Sequence, residues 1–360
     1  MVRKRIALLV GMAFAFAVGM LFYEAFLRYS GSSGPSVVES DETFGLRLKK
    51  EMPYIFINEG FSLGKINQYG YMGPGYPPEK PDGVIRIALM GDSYVAGHHM
   101  FDRHHFRSLI EEDLNRLTGV RVEVLNFGFP AINFEQMYVY YEVFARRFSP
   151  DYVLYFIGTS SLNNPVDEVG PRLKLEADTL RIDNGFRKSP AFARVKKLDM
   201  LRKVGLFSLV RKAKQIYGQG SGPEIVFDKF YWLAKGGRGD EKEEKAPEEK
   251  PRRIAVNHAV VEQLASDNRR AAAGLGGAAT SILVIRDGLP QTFIDFAGAS
   301  GLEFFDPNPG LDSLDAAGID PHYWKGSHRG GHWNQYAHRV VAAYLTRKLT
   351  PLLDTEVSAM

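Results

Sequence analysis

The chain contains no cysteine in its 360 residues. That excludes a disulfide framework, a thiolate zinc site and a thiol nucleophile, and it fits an oxidising compartment. Excess charge of either sign is also missing. Forty-five Lys and Arg stand against 42 Asp and Glu, a net charge of +3, so nothing global points to nucleic acid. No internal repeat is evident. Apolar content, 45%, is that of an ordinary globular core. The length suits one large domain with additions, or two small ones.

Charge is absent locally as well. Arg3, Lys4 and Arg5 precede an uncharged apolar run from Ile6 to Tyr23. Its length lies between a signal-peptide core and a short spanning helix. The small-x-small pattern Ala13-Phe14-Ala15 falls inside the run, so the run reads as an uncleaved anchor. A cleaved, secreted, lipase-like form is the alternative, and the mature N-terminus separates the two. The basic cluster stays cytoplasmic by the positive-inside rule, which places the chain after Arg28 outside. Ser30-Gly-Ser-Ser-Gly-Pro35 then reads as a flexible tether.

Five runs read as buried parallel strands: Ile85–Met90, Arg121–Asn126, Tyr152–Ile157, Ser281–Arg286 and Leu302–Asp306. Helical patterns lie between them over Phe106–Leu117, Phe134–Phe148 and Ile254–Ala273, and a last one covers Ala337–Leu349. Alternation of strand and helix predicts a doubly wound α/β sheet. The expected organisation is a cytoplasmic tip and anchor (1–28), a tether and extended arm wrapping the domain (29–83), and an α/β domain (84–350). Residues 165–253 form an insert. Within it, Ala191–Tyr217 reads as a basic helix and Gly236–Arg253 as a charged loop without chemistry.

The chemistry concentrates at strand ends. The first strand runs into Gly91-Asp92-Ser93, where a turn exposes a hydroxyl at the rim of the sheet. The second ends in Asn126-Phe-Gly128 and the third in Gly158-Thr159-Ser160-Ser161, followed by Asn163 and Asn164. Late in the chain comes His332-Trp333-Asn334. Acyl transfer needs a nucleophile, a base and donors aimed at an oxyanion. This order of motifs resembles the SGNH/GDSL hydrolase family over roughly Arg86–Leu349, the insert aside. The resemblance implies a three-layer α/β/α sandwich with a five-stranded parallel sheet, flavodoxin-like in order, behind an N-terminal transmembrane helix. It makes Ser93 the nucleophile and an oxyanion donor, Gly128 a second donor and His332 the general base. No cofactor is implied.

Two positions depart from that pattern. Where the family has Asn in its third motif, this chain has Ser160, with Asn163 or Asn164 as amides that could fold back. Three residues before His332, where the family has Asp, stands Arg329. The nearest upstream acid is Asp320, which can orient His332 only if its loop doubles back. A backbone carbonyl holding the ring is the alternative.

The remaining candidates have plainer readings. Asp92 serves its own turn, and Asn126 ties neighbouring loops or makes an Asx turn. His338 is structural or at the surface. Tyr138, Tyr140 and Tyr141 are packing residues, and Trp333 packs beside the site or lines a sugar pocket. His98, His99, His104 and His105, with His322 and His328, are solvent-exposed or substrate-lining rather than metal ligands, because adjacent histidines point apart and no carboxylate follows at metal-site spacing.

The expectation is an extracytoplasmic, membrane-anchored esterase or O-acyltransferase of the bacterial inner membrane. It would act on acyl, chiefly acetyl, esters of a cell-surface or exported polysaccharide through an acyl-Ser93 intermediate. The alternative is a degenerate module that binds glycan, or a partner in a polysaccharide assembly or export complex through the basic insert helix.

Overall fold

The computed structural model of the protein describes residues 2–29, 37–56, 59–164, 169–176, 179–202, 249–275 and 277–357. Helix α1 (Val2–Tyr29) contains the apolar run Ile6–Tyr23, whose 18 residues have a mean hydropathy of 2.3 and include no buried side chain. It is long and apolar enough to cross a bilayer. The tether expected at Ser30–Pro35 lies outside the described residues.

A five-stranded parallel sheet organises the rest: β5 (Val84–Gly91), β6 (Arg121–Gly128), β7 (Tyr152–Ile157), β10 (Thr280–Ile285) and β11 (Glu303–Phe305). Their order across the sheet is β6-β5-β7-β10-β11. Counted by appearance in the chain this is 2-1-3-4-5, so the direction of winding reverses between β5 and β7, where such sheets open a crevice beyond their carboxyl ends. All eight residues of β5 are buried. Successive side chains serve opposite layers, as the strand period of two requires. Ile85, Ile87 and Leu89 join Phe106, Ile110 and Leu114 of α3 (Phe106–Thr118) and Val341 and Leu345 of the C-terminal helix, Gln335–Val357. Ala88 and Met90 face the other way. They pack with Met137 of α4 (Phe134–Val143) and with Val260 and Leu264 of the helix Glu249–Ala272. The fold is thus a three-layer α/β/α sandwich.

The strand expectations stand to within two residues at each end. Two regions differ. The arm before the sheet is not merely extended. It folds into hairpins β1–β2 (Val38–Asp41 and Gly45–Leu48) and β3–β4 (Pro53–Phe56 and Ser62–Lys65), and it buries Val38, Phe44, Ile66 and Tyr71 in the second layer. The charged run Gly236–Arg253 is helical from Glu249 onward, because Arg252 reaches the buried Glu135 carboxylate at 3.1 Å and the Leu173 carbonyl at 2.7 Å. The rest of that run lies outside the described residues. Of the basic stretch Ala191–Tyr217, the part to Arg202 belongs to the helix Pro190–Arg202 and the remainder lies outside them. The segment before that helix adds a hairpin, β8–β9 (Arg172–Glu176 and Thr179–Asp183).

Candidate active site

Ser93 opens a four-residue helix, α2 (Ser93–Ala96), directly beyond β5. Asp92 caps it: its Oδ1 accepts the Tyr94 N–H at 3.0 Å, and its carbonyl accepts from Val95 and Ala96. Gly97, with φ of +64°, ends it in the left-handed region that favours glycine. A Cβ on Gly128 would lie 2.1 Å from the Ala96 nitrogen, so the close seat of α2 against β6 requires glycine there.

His332 reaches Ser93 from the far end of the chain. Its Nε2 lies 2.7 Å from Ser93 Oγ. Three neighbours fix its backbone. Trp333 is buried in the first layer. Asn334 accepts from the N–H groups of Tyr336 and Ala337, capping the C-terminal helix, and donates to the carbonyls of Asp320 and Tyr323. The Trp324 indole donates to the His332 carbonyl at 3.0 Å.

The other ring nitrogen faces Glu59. Nδ1 lies 2.8 Å from Oε2 and 2.9 Å from Oε1, and the His332 N–H donates to Oε2 at 2.8 Å. Glu59 is 2% exposed and sits in the turn of the β3–β4 hairpin. Asp320, the acid expected from its place in the sequence, is not on the ring. It is exposed, and its Oδ1 accepts the His322 N–H at 2.7 Å. Glu59 lies 273 residues upstream of His332, in a segment whose sequence reads only as an arm. One signal was present: a Cβ on Gly331 would meet the Glu59 carboxylate carbon at 2.3 Å, so the Gly-Gly before His332 leaves room for an acid.

The expected oxyanion donors divide. Ser93 N–H has no acceptor among the described residues. Gly128 N–H is directed at the Asn126 side chain, Oδ1, at 2.9 Å. Ser160 lies in a short helix, α5 (Thr159–Asn163), rather than in a loop, and its Oγ accepts from Arg286 Nη2 at 2.5 Å. Asn163 is exposed at the end of α5. No hydrogen bond ties it to the site among the described residues. Asn164 contributes only its backbone, its carbonyl accepting from Asn133 and its N–H donating to the Ser160 carbonyl. Arg286, just beyond β10, is with Glu59 a functional candidate that sequence reasoning passed over.

His98, His99 and His105 differ from the exposed, substrate-lining expectation: they are buried behind Ser93 and His332, together with His338, whose expected place is structural or at the surface, while His328 is exposed as expected. The His99 ring stacks on His332 with centroids 4.9 Å apart, and His338 lies 5.8 Å from His99 and 4.7 Å from His105. Burial pushes the His98 imidazole down to about 4 and those of His99, His105 and His338 well below the usual value. Burial pushes the Asp92 carboxyl up, opposed by Arg286 and by the Tyr94 N–H. Glu59, His99 and His332 could offer three ligand atoms within 4.8 Å of one another. A metal there would have to displace the Glu59–His332–Ser93 hydrogen bonds.

No protein-family model and no curated protein matches the chain. Solved structures do. A lipase/acylhydrolase from Enterococcus faecalis is 13% identical, with a TM-score of 0.37, over 74% of this chain and 96% of its own. The acetyl xylan esterase AlAXEase is 13% identical, with a TM-score of 0.35, over 74% of this chain and 100% of its own. LAE5, an alpha/beta hydrolase from the metagenome of Lake Arreo, Spain, is 13% identical, with a TM-score of 0.35, over 73% and 94%. Within this chain, β5, β6 and β7 run in parallel, and the three strand-end motifs follow them. The likeness is one of fold alone, a five-stranded parallel sheet between helical layers.

Proposed function

We propose that the protein cleaves or transfers acyl esters through a Ser93–His332–Glu59 triad. The observation that supports this most is the unbroken line of hydrogen bonds from Ser93 Oγ through both ring nitrogens to a buried carboxylate. A carboxylate only accepts, so Nδ1 carries the proton and Nε2 presents its lone pair to the serine hydroxyl. His332 takes the Ser93 proton as Oγ attacks the ester carbonyl. It returns that proton to the leaving alcohol, and the acyl group stays on Ser93. Glu59 holds the tautomer and stabilises the imidazolium that forms between the two steps.

Water capturing the acyl-enzyme gives an esterase, and a sugar hydroxyl gives an O-acyltransferase. The substrate class we propose is an acetylated cell-surface or exported polysaccharide. Supporting this are the apolar Ile6–Tyr23 segment and the basic residues before it, which favour single-pass anchoring with the sandwich outside the cytoplasmic membrane. The test is turnover of 4-nitrophenyl acetate and release of acetate from acetylated glycans by the detergent-solubilised chain. Activity lost in both Ser93→Ala and His332→Ala is expected. Activity surviving Ser93→Ala would refute the triad.

A further inference from the structure

A guanidinium joins the residues around the nucleophile. Arg286 is 6% exposed. Its Nε lies 3.6 Å from Asp92 Oδ2, and its central carbon stands 4.6 Å over the ring of Tyr94. Arg286 thus touches the residues on both sides of Ser93. From the same position Nη2 reaches Asp287 Oδ2 at 2.9 Å and Ser160 Oγ at 2.5 Å. The side chain spans the ends of β5, β7 and β10 on the rim where Ser93 lies.

The bond to Ser160 has a directional consequence. A guanidinium only donates, so it occupies a lone pair of the Ser160 oxygen, and the hydroxyl proton must point elsewhere. Among the described residues that O–H has no acceptor. A hydroxyl bonded to a cation is also a stronger donor than a free one. The Gly128 N–H, another expected donor, is directed at Asn126. The Ser160 O–H is therefore an uncommitted, polarised donor, held by the same guanidinium that touches both neighbours of Ser93.

We propose that Arg286 is a positioning residue that turns the Ser160 hydroxyl into the oxyanion donor. The proposal rests on the acyl-transfer reading above. As the Ser93 Oγ–carbon bond forms, the carbonyl electron pair moves onto its oxygen, and the Ser160 O–H donates to that charge. On collapse the pair returns, the bond to the leaving alcohol breaks, and that alcohol takes its proton from His332. Ser160 keeps its proton throughout.

The test is a double-mutant cycle on the full chain in detergent, reading kcat and KM for 4-nitrophenyl acetate, with fluorophosphonate labelling of Ser93 as the control. Ser160→Ala is expected to lower kcat on the order of 100-fold with KM little changed. Arg286→Gln should lower it by about as much alone, yet by less than about threefold on the Ser160→Ala background, because removing the hydroxyl leaves nothing to position. Ser160→Asn should restore much of the rate lost in Arg286→Gln. If Ser160→Ala keeps the wild-type kcat, or if Arg286→Gln costs the same factor with and without the hydroxyl, the proposal is overturned while the triad stands. Should Arg286→Gln fail to fold, Ser160→Ala and Arg286→Lys decide by the same criteria. A wild-type chain that Ser93-directed label does not modify overturns the triad and this proposal together.

Discussion

Two regions supply the proposed triad, and they are built very differently. Ser93 follows the most buried strand of the molecule, held between β6 and β7 with core layers on both faces. Glu59 comes from the turn of a hairpin with four residues per strand. Its Ile55 and Leu63 pair across the strands and are 41% and 50% exposed. A nucleophile needs a fixed place, which the sheet provides. The acid needs only to meet one nitrogen of a ring whose backbone is already held by Trp333, Asn334 and Trp324 and whose face is packed by Tyr94 and His99. In the proposed reaction the sheet thus carries the nucleophile and the β3–β4 hairpin the acid. Damage to that hairpin should cost rate before it costs fold.

The largest effect expected is at the sheet-borne pair. Ser93→Ala and His332→Ala should each lower kcat on the order of 10⁴- to 10⁶-fold without shifting the thermal midpoint much, since neither side chain is part of the two core clusters. Glu59→Gln tests the arm. The amide can donate to Nδ1 and so favour the wrong tautomer, a loss of about 10⁴-fold in kcat. A loss under tenfold would mean that the bond to Glu59 is not what sets the ring. Gly331→Ala should act on the same contact more gently, because the new methyl would press on the Glu59 carboxylate. A fall in kcat of about tenfold is expected, with KM and secondary structure unchanged.

The layer where the two regions meet is made of imidazoles. Tyr54 and Phe56 of the hairpin pack on His98 and His99 at 5.3 and 6.2 Å, and His99 stacks on His332. With His105 and His338, four imidazoles are buried neutral. Their folded-state values lie below the unfolded value of 6.5, so the unfolded chain binds more protons beneath it. Stability is therefore unaffected above pH 6.5 and falls as pH drops, through about 4 for His98 and further for the other three. With all four contributing, the slope approaches about 5 kcal/mol per pH unit. Urea midpoints between pH 7.5 and 5 check this, and His98→Asn should flatten the slope by about a quarter. A midpoint flat across that range would show that these groups take up protons in the folded state.

The sheet was legible because its strands are largely apolar, β-branched runs bounded by turns, and the charges that interrupt two of them, Arg86 and Glu123, pair with each other inside the core. Ser93 and His332 were legible because each lies beside a residue with a local structural task, Asp92 capping α2 and Asn334 capping the last helix. Glu59 was hidden because its partner is 273 residues away, and no local pattern marks a hairpin turn as an acid's seat. The buried histidines were misplaced for a related reason. Alternation along His98-His99 predicts opposite directions, but the hairpin covers both. Arg286 looked like the last residue of a strand, and its side-chain contacts come from α2 with its cap and from α5.

The smallest effect expected separates proximity in sequence from proximity in space. Asp320 is the acid nearest upstream of His332, and by sequence alone its loss should resemble that of Glu59. In the fold its carboxylate serves the His322 N–H, and only its backbone carbonyl, bonded to Asn334, supports the base. An asparagine keeps that carbonyl, and its own side-chain oxygen can still accept from His322. Asp320→Asn should therefore leave kcat within about twofold and the pH profile unmoved, while Glu59→Gln lowers the rate by orders of magnitude. If the two variants lose comparable activity, the loop around Asp320 doubles back in solution, and the arm is no longer the source of the acid.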